Sequence, residues 1–437
     1  MASVHSIPSI EEQFDFTSKA KRNLLIGGVL GILLILVGIF LISSGGGHEA
    51  AHAAGEAAHG AAEGHGESHG GSWMTRVWAN LWLNGVYFSG LAVIGMFFIS
   101  YNYLAESGWM VVFKRIPEAM PAFLPITGIV LIVTFLLGGH DLFHWTHADL
   151  YDPASEHYDP IIAGKQGFLN TPFYLIRIVL YFVLWYFLWT VIRKASLEED
   201  RIGGLENYNR SFKFAVIFLV VFGVTSSTSA WDFVMTIDTH WFSTMFGWYT
   251  LASWHVTGLA FITFSVVTLR EWGYLKAVNE SHLHDLGKFV FAFSIFWTYV
   301  WFAQFLLIYY ANMPEETIYF IERFRGHGGI FKTPFWINLV LNFVVPFLIL
   351  MPRDSKRTGI LLKCACVSVM LGHYIDFYNN IMPGTVGANA GFGPLEIGCF
   401  VLFFCAFLWV FATQLTKGNL VPKNHPMLEE SLHHDIA

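Results

Sequence analysis

The chain has 437 residues, of which 54% are apolar and 17% aromatic but only 13% charged, with a formal net charge of −7. Soluble proteins average about 25% charged residues, so a water-soluble fold of this size could not cover so much apolar surface. The composition excludes a disordered chain, a nucleic-acid binder and a secreted disulfide scaffold, and it points to an all-α polytopic membrane protein.

A spanning helix needs about 20 mostly apolar residues. Ten segments meet this condition, at roughly 23–43, 78–104, 118–140, 171–193, 211–232, 244–270, 287–311, 333–351, 358–378 and 395–416. The organisation expected is an N-terminus with a first spanning helix (1–43), a His/Gly/Ala-rich loop (44–77), helices two to ten (78–416) and a C-terminal tail (417–437). The first segment follows Lys19, Lys21 and Arg22 like a signal peptide. Its apolar run of about 19 residues exceeds the 7–15 of a cleavable one, so a retained anchor is expected. The loop after it carries His48, His52, His59, His65 and His69, and its composition fits a solvated tether better than a metal site. Trp78, Trp82, Tyr101, Tyr103, Trp241, Trp248, Tyr309 and Tyr310 gather near segment ends, where amphipathic rings sit at a membrane interface. In the eighth segment Pro346 removes the N–H that would bond the Asn342 carbonyl; a kink is expected, with the amides of Asn338 and Asn342 satisfying the freed groups.

Lys and Arg in the connections set the orientation. With the N-terminus cytoplasmic, the cytoplasmic side carries 18 of them, including Lys114, Arg115, the five from Arg193 to Lys213, and Arg353, Lys356 and Arg357. The other side carries 5, namely Arg76, Lys165, Arg323, Arg325 and Lys332, and Arg177 and Lys363 lie inside segments. Both termini are therefore expected in the cytoplasm, with the chain as a multi-pass membrane protein.

No phosphate loop, dinucleotide fingerprint or C-x-x-C-H haem attachment site is present. Cys364, Cys366, Cys399 and Cys405 have no iron–sulfur or zinc spacing and read as apolar packers. An ionisable group at membrane depth is a functional candidate because burying a charge in hydrocarbon costs at least about 2.5 kcal/mol. The candidates are His140, Asp141, His144, Arg177, Asp232, Asp238, His240, His255, His373, Asp376 and Glu396, all expected in the outer half, with His255 reaching the midplane. His140, His144 and His147 would share one face if their helix continued. Such a chain of groups suits proton transfer, in which each hop needs a group that accepts and donates. The structural alternatives are interfacial histidines at 140, 144 and 147, an interhelical pair at His373 and Asp376, a core histidine at His255, and an Arg177 that neutralises a carboxylate. The inner halves look poorer, with Glu271, His282, His284 and Asp285 around one loop.

Several long runs resemble a known family: W-D-F-V-M-T-I-D-T-H-W-F-S-T-M-F-G-W-Y (Trp231–Tyr249), S-H-L-H-D-L-G-K-F (Ser281–Phe289), F-W-T-Y-V-W-F-A-Q-F (Phe296–Phe305), Y-A-N-M-P-E-E-T (Tyr310–Thr317) and L-G-H-Y-I-D-F-Y-N-N-I-M-P-G-T-V-G (Leu371–Gly387). They look like the second quinone-binding membrane subunit of bacterial alternative complex III, a quinol:cytochrome c oxidoreductase. The resemblance covers the chain from about the second segment to the C-terminus. It implies the fold of the polysulfide-reductase membrane-subunit family, two four-helix bundles plus two flanking helices. It further implies a chain with no cofactor of its own beyond a quinone or quinol, contributing proton conduction. The partners implied are an iron–sulfur protein, a sister quinol-binding membrane subunit, c-type haem subunits and a terminal oxidase. It supplies no catalytic residue.

Two other readings fit the residues. A proton-coupled transporter would carry repeats and broken helices in matching halves, of which only Pro346 is visible. A haem-b cytochrome would use His255 and His373 as axial ligands.

Overall fold

The computed structural model describes residues 11–46 and 73–435, and among them there are helices and turns but no strand. The five histidines of the first loop lie outside the described residues. Ten helices are long and apolar enough to cross a membrane. They are α1 (Ser18–Leu41), α2 (Trp73–Leu104), α3 (Leu124–Leu142), α4 (Thr171–Ile202), α5 (Glu206–Phe233), α6 (Met245–Glu271), α7 (Glu280–Ala311), α8 (Lys332–Leu350), α9 (Gly359–Thr385) and α10 (Pro394–Leu415). Each coincides with an expected segment. A helix satisfies its own backbone groups, which is what hydrocarbon demands. α4 has 32 residues, about 48 Å at 1.5 Å per residue, so it outruns a hydrocarbon core of about 30 Å.

The helix neighbours form two closed rings. In the first bundle α2 packs on α3, α3 on α4, α4 on α5 and α5 on α2; in the second the order is α6, α7, α8 and α9, closed by α9 on α6. The bundles abut through α2, α5, α6 and α9, while α10 lies on α2 and α1 on α10. This is two four-helix bundles with two flanking helices. Helices of one chain alternate in direction, so α2 and α6, four helices apart, start their bundles in the same sense. The two bundles therefore share one ring order of helices.

Small residues set the closest approaches, because helices in lipid associate by backbone proximity and packing. A Cβ on Gly90 of α2 would lie 1.9 Å from Trp254 of α6, and one on Gly258 would lie 2.2 Å from Ile94. A Cβ on Gly38 of α1 would lie 2.5 Å from the backbone of Leu395 in α10. Outward Leu, Ile, Val and Phe side chains, as at Leu30, Leu36 and Phe40 of α1, are exposed to what would be lipid.

Two departures from straight helix matter later. Pro117 and Pro121 lack an N–H, and the chain from Val111 to Phe123 approaches α3 as short turns that carry Lys114, Arg115 and Glu118 inside the protein. In α8, Val340–Val344 forms a π turn ahead of Pro346. The Leu341 carbonyl there accepts from Ser368 Oγ of α9 at 2.8 Å. The Asn amides are engaged elsewhere, contrary to the expectation that they satisfy the freed groups.

The first and last described segments meet at one end of the bundles, called here the termini end. Leu420 N donates to the Glu12 carbonyl at 2.8 Å, and Gln13 bridges to Asn419. The tail is not a loose appendage. Asn424 donates to the Asp200 carbonyl at 3.0 Å, Ser431 Oγ to the Trp109 carbonyl at 2.8 Å, and His434 reaches Asp285 at 2.8 Å.

Candidate functional site

The most connected polar group in the second bundle surrounds Asp376. α9 places His373, Asp376 and Asn380 at i, i+3 and i+7, on one face. α6 presents Tyr249 and Ser253 one turn apart, and α8 presents Asn338 and Asn342 likewise. The Asp376 carboxylate is 1% exposed. It accepts from Tyr249 OH, from Ser253 Oγ at 2.8 Å and from Asn338 Nδ2 at 2.9 Å. Trp297 Nε1 donates to Ser253 Oγ at 2.9 Å, and Asn342 Nδ2 to Asn338 Oδ1 at 2.5 Å. In ion-pair range stands an imidazole, His373 Nδ1 at 3.6 Å from Asp376 Oδ2, and among the described residues no Lys or Arg reaches this carboxylate. Both His373 nitrogens are buried without a hydrogen-bond partner.

From Asp376 the hydrogen bonds continue toward the end opposite the termini. Asn380 Nδ2 donates to Tyr249 OH at 3.4 Å, and Tyr319 OH donates to Asn380 Oδ1 at 2.6 Å. Tyr319 sits on a short helix, Pro314–Phe324, with Arg323 one turn later. Arg323 donates to the Asn379 carbonyl at 3.0 Å and pairs with Asp238 at 3.0 Å, while its guanidinium lies 3.3 Å from the Tyr319 ring centroid. Glu322 and His327 flank this mouth. Burial and then the charge of Asp238 push the Glu322 carboxyl above its ordinary value, against the pull of Arg323. Burial and then Arg323 push His327 down. The mouth therefore holds an acid that binds a proton more readily than a free glutamate, above a chain of groups ending at a carboxylate without a cation.

Direct side-chain hydrogen bonds do not join the eleven expected residues into one chain; they fall into separate groups. His373, Asp376 and Asp238 belong to the column just described. Asp232 is closed off in the first bundle: Arg177 Nε and Nη2 each donate to it at 2.8 Å, and Tyr181 OH donates at 2.7 Å. Arg177 also donates to the Phe168 carbonyl at 2.9 Å and stacks 3.8 Å from the Phe168 ring. Such a bidentate pair is among the stronger hydrogen-bonded arrangements of a carboxylate. Glu396 is likewise engaged, by Arg76 Nε at 2.8 Å, Asn80 Nδ2 at 3.1 Å and the Gly393 N–H at 2.8 Å. His140 and Asp141 are exposed, and α3 stops at Leu142, so the histidine face does not continue as a helix. A turn nevertheless brings His147 within 3.8 Å of His140, ring to ring. His240 pairs with Asp159 at 2.5 Å. Burial would raise Asp159, but the Ile162 N–H and His240 together hold it below the carboxylate range. His255 lies in an aromatic box, 4.2 Å from Phe293, 5.2 Å from Phe97 and 5.7 Å from Tyr101 between ring centroids, with Nε2 unpartnered.

Phe293 packs on His255 and Trp297 on His373, at 4.2 and 5.0 Å between ring centroids. No group of three or more His, Cys, Asp or Glu is placed to hold a metal ion among the described residues.

The termini end is richer than the sequence suggests. Lys114, Arg115, Glu118, Arg193 and Glu199 are all buried there, beneath the first bundle. Glu118 accepts from Arg115 at 2.6 Å, Arg193 at 2.5 Å and Ser196 at 2.6 Å. The basic members read as connection charges because they border apolar runs. Sequence reasoning likewise missed Tyr319 and Arg323 and took Asn338 for a helix repair.

No family model matches the chain, and no curated protein matches it. Its class, a multi-pass helical membrane protein, rests on the ten helices themselves.

Proposed function

We propose that the chain is a membrane subunit of a quinol-oxidising respiratory assembly of the alternative complex III kind, and that its own part is to carry protons through the column around Asp376. The observation that carries the proton role is a buried carboxylate with three strong donors and no Lys or Arg partner, joined by side chains to one end of the protein. Protonation of Asp376 would break no buried salt bridge to Lys or Arg, whereas at Asp232 and Glu396 it would. The sequence runs supply the assembly, and the two bundles with a flanking pair agree with the fold that they imply. In this reading the termini lie in the cytoplasm of a bacterium, the Arg323 mouth faces the periplasm, and electrons travel through haem c and iron–sulfur clusters of partner subunits. The quinone part is supported by a groove of about 650 Å³ between α6, α8 and α9. Phe264, Trp272 and Leu341 line it, and the Lys363–Glu271 pair at 2.5 Å offers a head group a donor and an acceptor.

Purification of the native assembly tests this reading. Co-purifying c-type haem and iron–sulfur subunits, with quinol oxidation, are expected; a protein that purifies alone, without redox partners, refutes it. The two abutting bundles also fit a second reading, a proton-coupled transporter, since some transporters are built from two helical halves. Substrate-driven proton uptake by vesicles holding this chain alone would decide for the transporter.

A further inference from the structure

The first bundle holds a second set of ionisable side chains at the termini end, separate from the Asp376 column. Three cations, Lys114, Arg115 and Arg193, face three carboxyls, Glu118, Glu199 and Asp200. The donors are shared unequally. Glu118 takes Arg115, Arg193 and Ser196, with Lys114 Nζ at 3.5 Å. Asp200 takes Arg115 Nη2 and the Lys423 N–H, the latter at 3.1 Å. Lys114 Nζ donates to Tyr103 OH at 2.6 Å, and Arg193 Nη2 to the Gln414 carbonyl at 3.1 Å. Glu199 receives nothing: it is 1% exposed, and neither carboxyl oxygen has a hydrogen-bond partner.

Two forces therefore oppose each other at Glu199. The neighbouring cations favour the carboxylate, and burial without a donor favours the acid. Protonating Glu118 or Asp200 would sacrifice ion pairs that the cluster already has. Protonating Glu199 sacrifices no hydrogen bond. The next residue along the helix, Asp200, keeps 12% of its side chain exposed, so the cluster borders solvent at the termini end. The tail covers this edge through Asn424, which donates to the Asp200 carbonyl at 3.0 Å.

We propose that Glu199 is a proton-binding site, loaded from water at the termini end, with the surrounding ion pairs unchanged as the proton comes and goes. The ligand is a proton alone, and no bond to a heavier atom forms or breaks. The site stands on its own residues and not on the role given to Asp376.

Infrared spectroscopy of the purified protein tests it, in an Asp376→Asn background so that the other column cannot contribute. A protonated-carboxyl C=O band is expected that fades as pH rises, at unchanged helix content, and that Glu199→Gln removes. Identical carboxyl bands in the presence and absence of Glu199→Gln overturn the proposal. If the Gln variant does not fold, Glu199→Asp carries the test. A band moved in frequency or in titration midpoint supports the site, and an unchanged band overturns it. Failure of the Asp376 tests would leave this result untouched.

Discussion

Asp232→Asn should be among the most damaging single polar changes in the first bundle. The substitution keeps the shape but removes the charge that two Arg177 nitrogens contact at 2.8 Å and Tyr181 at 2.7 Å. Arg177 is 7% exposed and has no water to turn to. Breaking a buried pair by removing one partner costs about 3–5 kcal/mol, because the other charge is left uncompensated. The Phe168 carbonyl at 2.9 Å and the Phe168 ring at 3.8 Å still hold the guanidinium, which places the expected loss at the lower end, about 3 kcal/mol. Unfolding of the purified protein in detergent, followed by denaturant titration, reads this directly. Arg177→Met combined with Asp232→Leu should recover most of the loss, giving a coupling of about 2–3 kcal/mol in a double-mutant cycle. A loss below about 1 kcal/mol for Asp232→Asn, or additive effects in the cycle, would refute the assignment of Asp232 as a locked charge.

At the mouth, Glu322 has its folded value raised, so the folded protein holds that proton more tightly than the unfolded chain. Stability should therefore rise as pH falls through the folded value and level off near the ordinary glutamate value, with a slope of at most about 1.4 kcal/mol per pH unit. Glu322→Gln should flatten that part of the stability–pH curve, and an unchanged slope would contradict the placement. Gly90→Ala should destabilise by about 1–3 kcal/mol through overpacking against Trp254, whereas Gly223→Ala, with nothing within 4 Å, should be neutral or stabilising by up to about 1 kcal/mol. Equal thermal shifts for the two would undo the account of the α2–α6 seam. Ser368→Ala should cost about 1–3 kcal/mol by stranding the Leu341 carbonyl at the π turn; a silent change would mean that another group satisfies it.

The spans were legible because hydrocarbon imposes a length and a composition on each helix separately, and that signal is local. Depth along a span marked His373, Asp376, Asp232 and Glu396 as buried for the same reason. Partnership was not legible. Whether Asp232 meets Arg177, or Asp376 meets hydroxyls, amides and an imidazole, is decided mostly by helices far apart in the chain. Lys114 and Arg115 looked like interfacial charges because a basic residue beside an apolar run usually is one. Only the turns forced by Pro117 and Pro121 carry them inward. Asn338 and Asn342 lie beside a proline that explains polar residues locally, so their link to Asp376 across the bundle stayed hidden. Tyr319 and Arg323 lie in a connection that looked aqueous, and the amphipathic helix Pro314–Phe324 returns them to the column.

The central claim is that Asp376 carries a proton, and Asp376→Asn in the reconstituted native assembly tests it most directly. The amide keeps an oxygen for Tyr249 and Asn338, and its NH₂ can donate to Ser253 Oγ, so assembly and helix content should survive. What is lost is the titratable group. Fewer protons released per quinol oxidised are expected, or slower turnover where electron and proton transfer are coupled, with part of the activity returned by Asp376→Glu. Normal turnover together with normal proton stoichiometry in Asp376→Asn would contradict it, since the column would then be a structural network and the proton would cross elsewhere.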